Sequence, residues 1–221
     1  MPDATNHLPP GWRVVRFDQM AESITERVDK PSEAGVEYYV GLEHLDPESL
    51  KLRRWGTPDD VSATKLKFQP GDIIFGRRRA YQRKLAVAEF EGICSAHALV
   101  LRAREDTVLP GFLPFFMQSD VFFERAMAIS VGSLSPTINW KALARQEFAI
   151  PPRAEQQRIA ELLWAADAAV EGHLTAQEEL NKSGVLLFEH YITKYERQGG
   201  GRYRHAGCQY PYPAHRRATP G

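Results

Sequence analysis

The sequence predicts an α+β protein: a β-rich body with a few helices, followed by one long C-terminal coiled-coil helix. Three observations predict it. Short apolar runs separated by Gly, Pro and Asp turn signals fill the first hundred residues. A diproline, Pro151-Pro152, then fixes an extended approach, and no proline follows until Pro211. Between them Ile159, Leu163, Ala166 and Val170 keep the 4-3-4 spacing of a packed helical seam.

The elements follow in order. Residues 1–10 form a lead-in, and Gly11–Phe17 alternates apolar and basic residues as a short strand does. Asp18–Arg27 suits a short helix or turn. Val36–Leu42 and Leu50–Trp55 read as strands. Lys65–Phe68 leads into the turn Gln69-Pro70-Gly71-Asp72, then the apolar strand Ile73–Phe75. Arg77-Arg78-Arg79-Ala80-Tyr81-Gln82-Arg83-Lys84 is a basic loop, and Leu85–Phe90 returns from it. After the turn Glu91-Gly92, Ile93–Leu101 reads as one more strand. Phe112–Met127 reads as helix, Ser130–Trp140 as a polar loop and Lys141–Arg145 as a helical turn, and Glu147–Ile150 extends into the diproline hinge.

A helix from Ala154 to about Arg197 would span roughly 66 Å at 1.5 Å per residue, too long for one small body. Glu155 suits its positive end. Gly172 and Gly184 predict soft points, each costing about 1 kcal/mol against Ala. Ile159, Leu163, Ala166 and Val170 are the expected face for a second helix; the alternative is a helix folded back on its own body. Residues 198–221 carry Gly, Pro, Tyr and Arg with no acid and are expected to be disordered. The domains are thus residues 1–150, 151–197 and 198–221.

Bulk charge excludes a globally basic protein, since 28 Lys and Arg balance 28 Asp and Glu. The distribution is uneven. Residues 1–50 carry 4 basic and 10 acidic side chains, and residues 51–84 carry 10 basic and 3 acidic, a net of +7. Such a band suits a phosphate backbone. Arg77, Arg78, Arg79, Arg83 and Lys84 can approach phosphates or guanine edges, and Tyr81 can stack beside them. Lys65 and Lys67 are candidate phosphate contacts. Ser133, Thr137 and Asn139 offer hydroxyl and amide groups to phosphates or base edges, or else cap a helix. The bland alternative for the basic loop is a solvated hairpin tip.

Catalytic patterns are missing. No Gly-rich loop with Lys-Ser/Thr, no dinucleotide fingerprint and no zinc spacing occurs; His97 reads as a core or site-lining histidine. Asp59-Asp60 lacks the acid-x-Lys pair of a two-metal nuclease. No metal, cofactor or catalytic residue is assigned. Cys94 reads as a buried thiol and Cys208 lies in the tail, which fits a reducing cytoplasm. The polar N-terminus and the absence of a long apolar run predict no membrane segment.

Three stretches resemble one family. Gly71-Asp72-Ile73-Ile74-Phe75-Gly76 with Arg79, Tyr81 and Lys84, then Phe90-Glu91-Gly92-Ile93-Cys94-Ser95, is the first. Gly132-Ser133 through Ile138-Asn139-Trp140 is the second. Ile150-Pro151-Pro152 with Glu155-Gln156 and Ile159 is the third. Together they resemble the DNA-specificity subunits of type I restriction–modification systems. The resemblance implies a non-catalytic target recognition domain that reads half of a bipartite site in double-stranded DNA. It also implies a long spacer helix, methyltransferase subunits that supply the chemistry and a restriction–translocase subunit. Family members usually carry two recognition domains and two long helices; this sequence holds one of each, and Ala80 replaces a usual proline. The expectation is a half-subunit that pairs with a second copy, as a homodimer, in the cytoplasm. The rival expectation is a protein-interaction module with an oligomerisation helix and no DNA specificity.

Overall fold

The structure, a computed structural model, describes residues 8–197, so the expected disorder of residues 198–221 and Cys208 lie outside the described residues. The elements are β1 (Arg13–Arg16), α1 (Phe17–Met20), β2 (Ala21–Ile24), β3 (Arg27–Val28), β4 (Tyr39–Val40), β5 (Lys65–Phe68), β6 (Ile73–Gly76) and β7 (Leu85–Val87). They continue with β8 (Gly92–Ser95), β9 (Ala98–Ala103), α2 (Leu113–Gln118), α3 (Asp120–Ala128), α4 (Trp140–Leu143), β10 (Glu147–Ile150) and α5 (Arg153–Arg197). The α+β class is as expected. The described chain divides after Asp167 into two units, each taken by itself.

In the first unit the strands form three sheets: β1-β10, β2-β9-β6-β7 and β3-β5-β8-β4. Pairing is antiparallel except for β4 beside β8. Strand periodicity shows how two cores form. On β6, Ile73 and Phe75 join one apolar cluster and Ile74 the other; on β9, Leu99 and Leu101 divide from Ala98 and Val100 in the same way. The β2-β9-β6-β7 sheet is therefore buried on both faces. One face meets Phe17, Met117, Phe122, Phe123 and Phe148 from the helical elements and β10; the other meets Val40, Phe68 and Cys94 of the second four-stranded sheet. Both faces of β6 and β9 are apolar for this reason.

Asp72 fixes the entry to β6. It is fully buried and accepts from Arg102 Nε (2.8 Å) and a terminal Arg102 nitrogen (2.9 Å), and from Gln69 N (2.9 Å). A buried carboxylate so bonded is satisfied. The same hydrogen bond raises the Arg102 guanidinium above its ordinary pKa.

Several sequence expectations change. Ile93–Leu101 is not one strand: the chain turns at Ala96-His97, so β8 and β9 lie in different sheets. Ser95 Oγ accepts from His97 N at 3.2 Å, a local turn bond in a run with no Gly or Pro to announce it. Leu50–Trp55 is not a strand, though Leu50 and Leu52 are buried and Leu50 O accepts from Val87 N at 2.9 Å. Asp18–Arg27 holds β2 as well as part of a helical turn. Phe112–Met127 is two helices, because Ser119 is extended and caps the second by accepting from Phe122 N.

The start of α5 is locked to the first unit. Gln156 is 1 % exposed; its Oε1 accepts from Leu109 N (2.9 Å) and its Nε2 donates to Pro151 O (3.0 Å). Trp164 Nε1 donates to Gly111 O at 2.9 Å, and Ala160 is buried. Ile159 packs against this same core. The spacing puts it on the face for a second helix; its own body covers it in part, because it shares the stripe of Gln156 and Ala160. In the second unit α5 continues through Gly172 and Gly184 to Arg197 without the break those glycines suggested. There Val170, Leu180, Val185, Leu187 and Phe188 are exposed.

Two outcomes follow. Gln156→Ala would leave the half-buried Leu109 N–H without its partner and is expected to cost about 1–2 kcal/mol in urea unfolding; a loss below about 0.5 kcal/mol would mean that Gln156 does not pin the helix. Burial pushes the Cys94 thiol from 9.0 up to about 12. Above pH 9 the unfolded thiol ionises and the folded one does not, so its contribution is complete below pH 9 and falls as pH rises toward 12. In a Cys208→Ser background, Cys94→Ala should flatten that alkaline loss of stability.

Candidate nucleic-acid interface

Pairing of β6 with β7 places Phe75 opposite Leu85 and makes residues 77–84 a finger at the hairpin end, with Gly76 N donating to Lys84 O at 2.9 Å. Its tip is the 3₁₀ turn Ala80–Gln82, flanked by Arg79 (φ 55°) and Arg83 (φ 50°), both left-handed. Holding non-glycine residues there costs free energy that the surroundings must supply. Part of the supply is Ala80, 1 % exposed, which anchors the turn in the larger core.

The rest comes from the Ser130–Asn139 loop. Ile138 N donates to Arg77 O (2.9 Å), Ala80 N donates to Pro136 O (3.4 Å), and Arg78 bridges Thr137 in β fashion. Arg78 Nε donates to Ser135 Oγ at 3.1 Å. The two stretches singled out in the sequence, nearly sixty residues apart, thus form one braced surface. Val131 and Thr137 pair with each other and close the loop, leaving Ser133 and Leu134 exposed at its tip.

The positive band sorts into spent and unspent charge. Lys51 pairs with Glu89 (2.7 Å), Arg53 with Asp46 (3.5 Å), Arg54 with Asp46, Lys67 with Glu26 (4.0 Å) and Arg83 with Asp120 (2.6 Å). Arg83 also lies 5.1 Å from the Phe123 ring centre. Among the described residues, Arg77, Arg78, Arg79 and Lys84 have no carboxylate partner. Arg77 is half-buried and donates to Ala96 O (3.2 Å), while its Nε is buried without a partner. Lys84 Nζ donates to Leu42 O at 3.0 Å. Arg78 and Arg79 are exposed, as is Tyr81.

Lys65 is a correction. It is 6 % exposed, its ammonium donates to Ala63 O (2.6 Å) and lies 5.6 Å from the Tyr39 ring centre. Desolvation lowers its pKa. An ammonium buried in this way cannot reach a phosphate. Thr137 Oγ1 donates to Ser135 O, and Asn139 Oδ1 accepts from Lys141 N as the cap of α4, so the capping alternative holds for Asn139. Sequence reasoning missed Glu43, Gln82 and Ser95. With Leu42, Arg78, Arg79, Lys84 and His97 they line an open cleft of about 380 Å³ beside the finger. His97, which the apolar run places inside a strand, stands exposed at the β8–β9 turn.

Residues 9–182 match the family model described as the type I restriction modification DNA specificity domain, and the chain belongs to that family. Among individual relatives, it is similar to the type I restriction enzyme EcoDI specificity subunit of Escherichia coli, 29% identical over 154 residues, 69% of this chain and 34% of that protein. The fold is similar to the HsdS subunit from Thermoanaerobacter tengcongensis (TM-score 0.63, 24% identity, 96% of this chain and 54% of that one). It is also similar to a chain solved in work on complex assembly and conformational transition of the type I restriction–modification system (TM-score 0.63, 24% identity, 93% and 53%). The chain therefore spans about a third of the curated relative and about half of the solved ones.

Lys65→Met is expected to be neutral or stabilising by up to about 2 kcal/mol in urea unfolding, since it removes a desolvated charge and keeps the stem. A loss above about 2 kcal/mol would mean that the ammonium is structurally required.

Proposed function

We propose that this chain is a sequence-specific, non-catalytic DNA-recognition subunit of a type I restriction–modification complex. The observation that carries the reading is the sorting of charge. The cations of residues 51–84 that find acidic partners lie mostly outside the finger, and the exposed ones without partners, Arg78 and Arg79, lie on it beside the hydroxyl-bearing loop. Exposed guanidinium groups on a braced support can contact phosphates or read guanine edges. Arg77, Arg83 and Lys84 then position the finger, with Tyr81 and Ser133 beside the duplex. Lys67, tied to Glu26, and Thr137 and Asn139, each used locally, have secondary roles.

Membership of the specificity family supports partners that supply catalysis: methyltransferase subunits and a restriction–translocase subunit, acting on double-stranded DNA in the cytoplasm. A second copy of the chain completes the reader. The exposed stripe of Leu163, Ala166 and Val170, without Ile159, supports helix pairing that sets two half-sites in inverted order. Among the described residues no helix is long and apolar enough to cross a membrane.

Binding to a random duplex library should enrich one motif and weaken steeply with salt. Arg78→Ala and Arg79→Ala should separate by role. Loss of a base contact should cost about 1–3 kcal/mol and relax one position, and loss of a phosphate contact should weaken all sequences alike and reduce the salt slope by about 1. Unchanged binding in the double variant would dismiss the finger as the DNA contact. Binding to an acidic protein with no enriched DNA motif would favour the interaction-module reading. For pairing, Leu163→Asp with Val170→Asp should shift a sedimenting dimer to monomer at micromolar concentration.

A further inference from the structure

Resting on the DNA-reading role proposed above, we infer that Glu43, assisted by Gln82, is a specificity-determining pair that reads an exocyclic amino group, cytosine N4 or adenine N6, on the major-groove edge. The cleft beside the finger is lined by three cations, Arg78, Arg79 and Lys84, and by one carboxylate, Glu43. Glu43 is exposed and makes no hydrogen bond or ion pair with them among the described residues. Two of the three cations have other partners: Lys84 donates to Leu42 O and Arg78 to Ser135 Oγ. An unneutralised carboxylate in a phosphate-seeking surface repels the backbone. It is accommodated where a base edge presents a donor, and the donors there are the amino groups of cytosine and adenine.

The turn that carries Glu43 is held in advance. Gly41 N donates to His44 Nδ1 (3.0 Å), His44 N donates to Gly41 O (3.1 Å), and Lys84 Nζ holds the Leu42 carbonyl (3.0 Å). The carboxylate lies over Gly41: a Cβ on that residue would stand 2.0 Å from Glu43 Oε1. Glycine at position 41 thus leaves the space that the carboxylate occupies. Gln82 sits at the crest of the finger and lines both this cleft and the neighbouring one with Asp46, Glu48 and Arg54. Its amide makes no side-chain hydrogen bond among the described residues. An amide of this kind can pair with adenine N6 and N7.

The test is motif selection from a random duplex library with the full 221-residue chain, comparing wild type with Glu43→Gln, Gly41→Ala and Gln82→Ala. Thermal unfolding serves as the folding check. Wild type should select a motif containing a cytosine or adenine that depends on Glu43. Glu43→Gln should lower discrimination at that one position by on the order of tenfold, while affinity for unrelated duplex stays level or rises. Gly41→Ala, which displaces the carboxylate and keeps its charge, should relax the same position. Gln82→Ala should relax that position or its neighbour. If wild type selects a salt-dependent motif and neither Glu43→Gln nor Gly41→Ala alters any position, the Glu43 assignment is overturned and the DNA-reading role stands. Uniform weakening on all sequences also overturns it. If wild type selects no motif, both readings fall together.

Discussion

The contact on which the site depends is backbone pairing between the finger and the loop before α4. Three links join them: Ile138 N to Arg77 O, Ala80 N to Pro136 O, and the bridge of Arg78 with Thr137. Without them a basic hairpin tip would sample many conformations, and ordering it on a ligand would cost entropy at each binding event. With them Arg79 and Arg83 are kept in the left-handed region and the tip has a fixed shape. The buried methyl of Ala80 is a further support, and it ties the tip directly to the larger core.

That core makes the support rigid. The β2-β9-β6-β7 sheet is covered on both faces, so the two strands that lead to the finger and the β8–β9 turn are anchored from two sides. Asp72 and Arg102 close the far end of β6 with a doubly bonded ion pair. Displacing the finger would require a shift in a close-packed sheet, and packing of this density resists gradual deformation. The recognition surface is a short loop on a stiff base, which is how loops commonly acquire defined binding geometry.

Neutral overall charge and a cationic surface are compatible because the acids are distributed by the fold. Asp46, Glu26, Glu89 and Asp120 each neutralise a cation of the 51–84 band, from sequence positions up to about forty residues away. What survives at the surface is confined to the finger, since Lys65, also without an acidic partner, is buried. Exposed surface pairs contribute little stability; here their consequence is a narrower electrostatic footprint. The long helix shows the same economy. Its first turns serve the body through Gln156, Ala160, Ile159 and Trp164, and its apolar positions beyond Asp167 are left exposed.

Local patterns made much of this legible. Alternation and turn residues marked Ile73–Gly76 and the basic loop, the diproline marked the start of α5, and the motif order pointed to the family. These signals are local because turn chemistry, φ restriction and helical spacing act within a few residues. The unread features are long-range. Lys65 looks like any exposed lysine until β5 places it inside. The Ile93–Leu101 run hides a turn because two sheets claim its halves. Glu43 lies more than thirty residues before the finger arginines, and no spacing marks it as sharing their cleft. Sequence alone determined the apolar strand before the basic loop, the loop itself and the start of the long helix, because those signals act within a few residues. Only the tertiary structure decided which cations remain free, because neutralisation depends on distance through space and not along the chain.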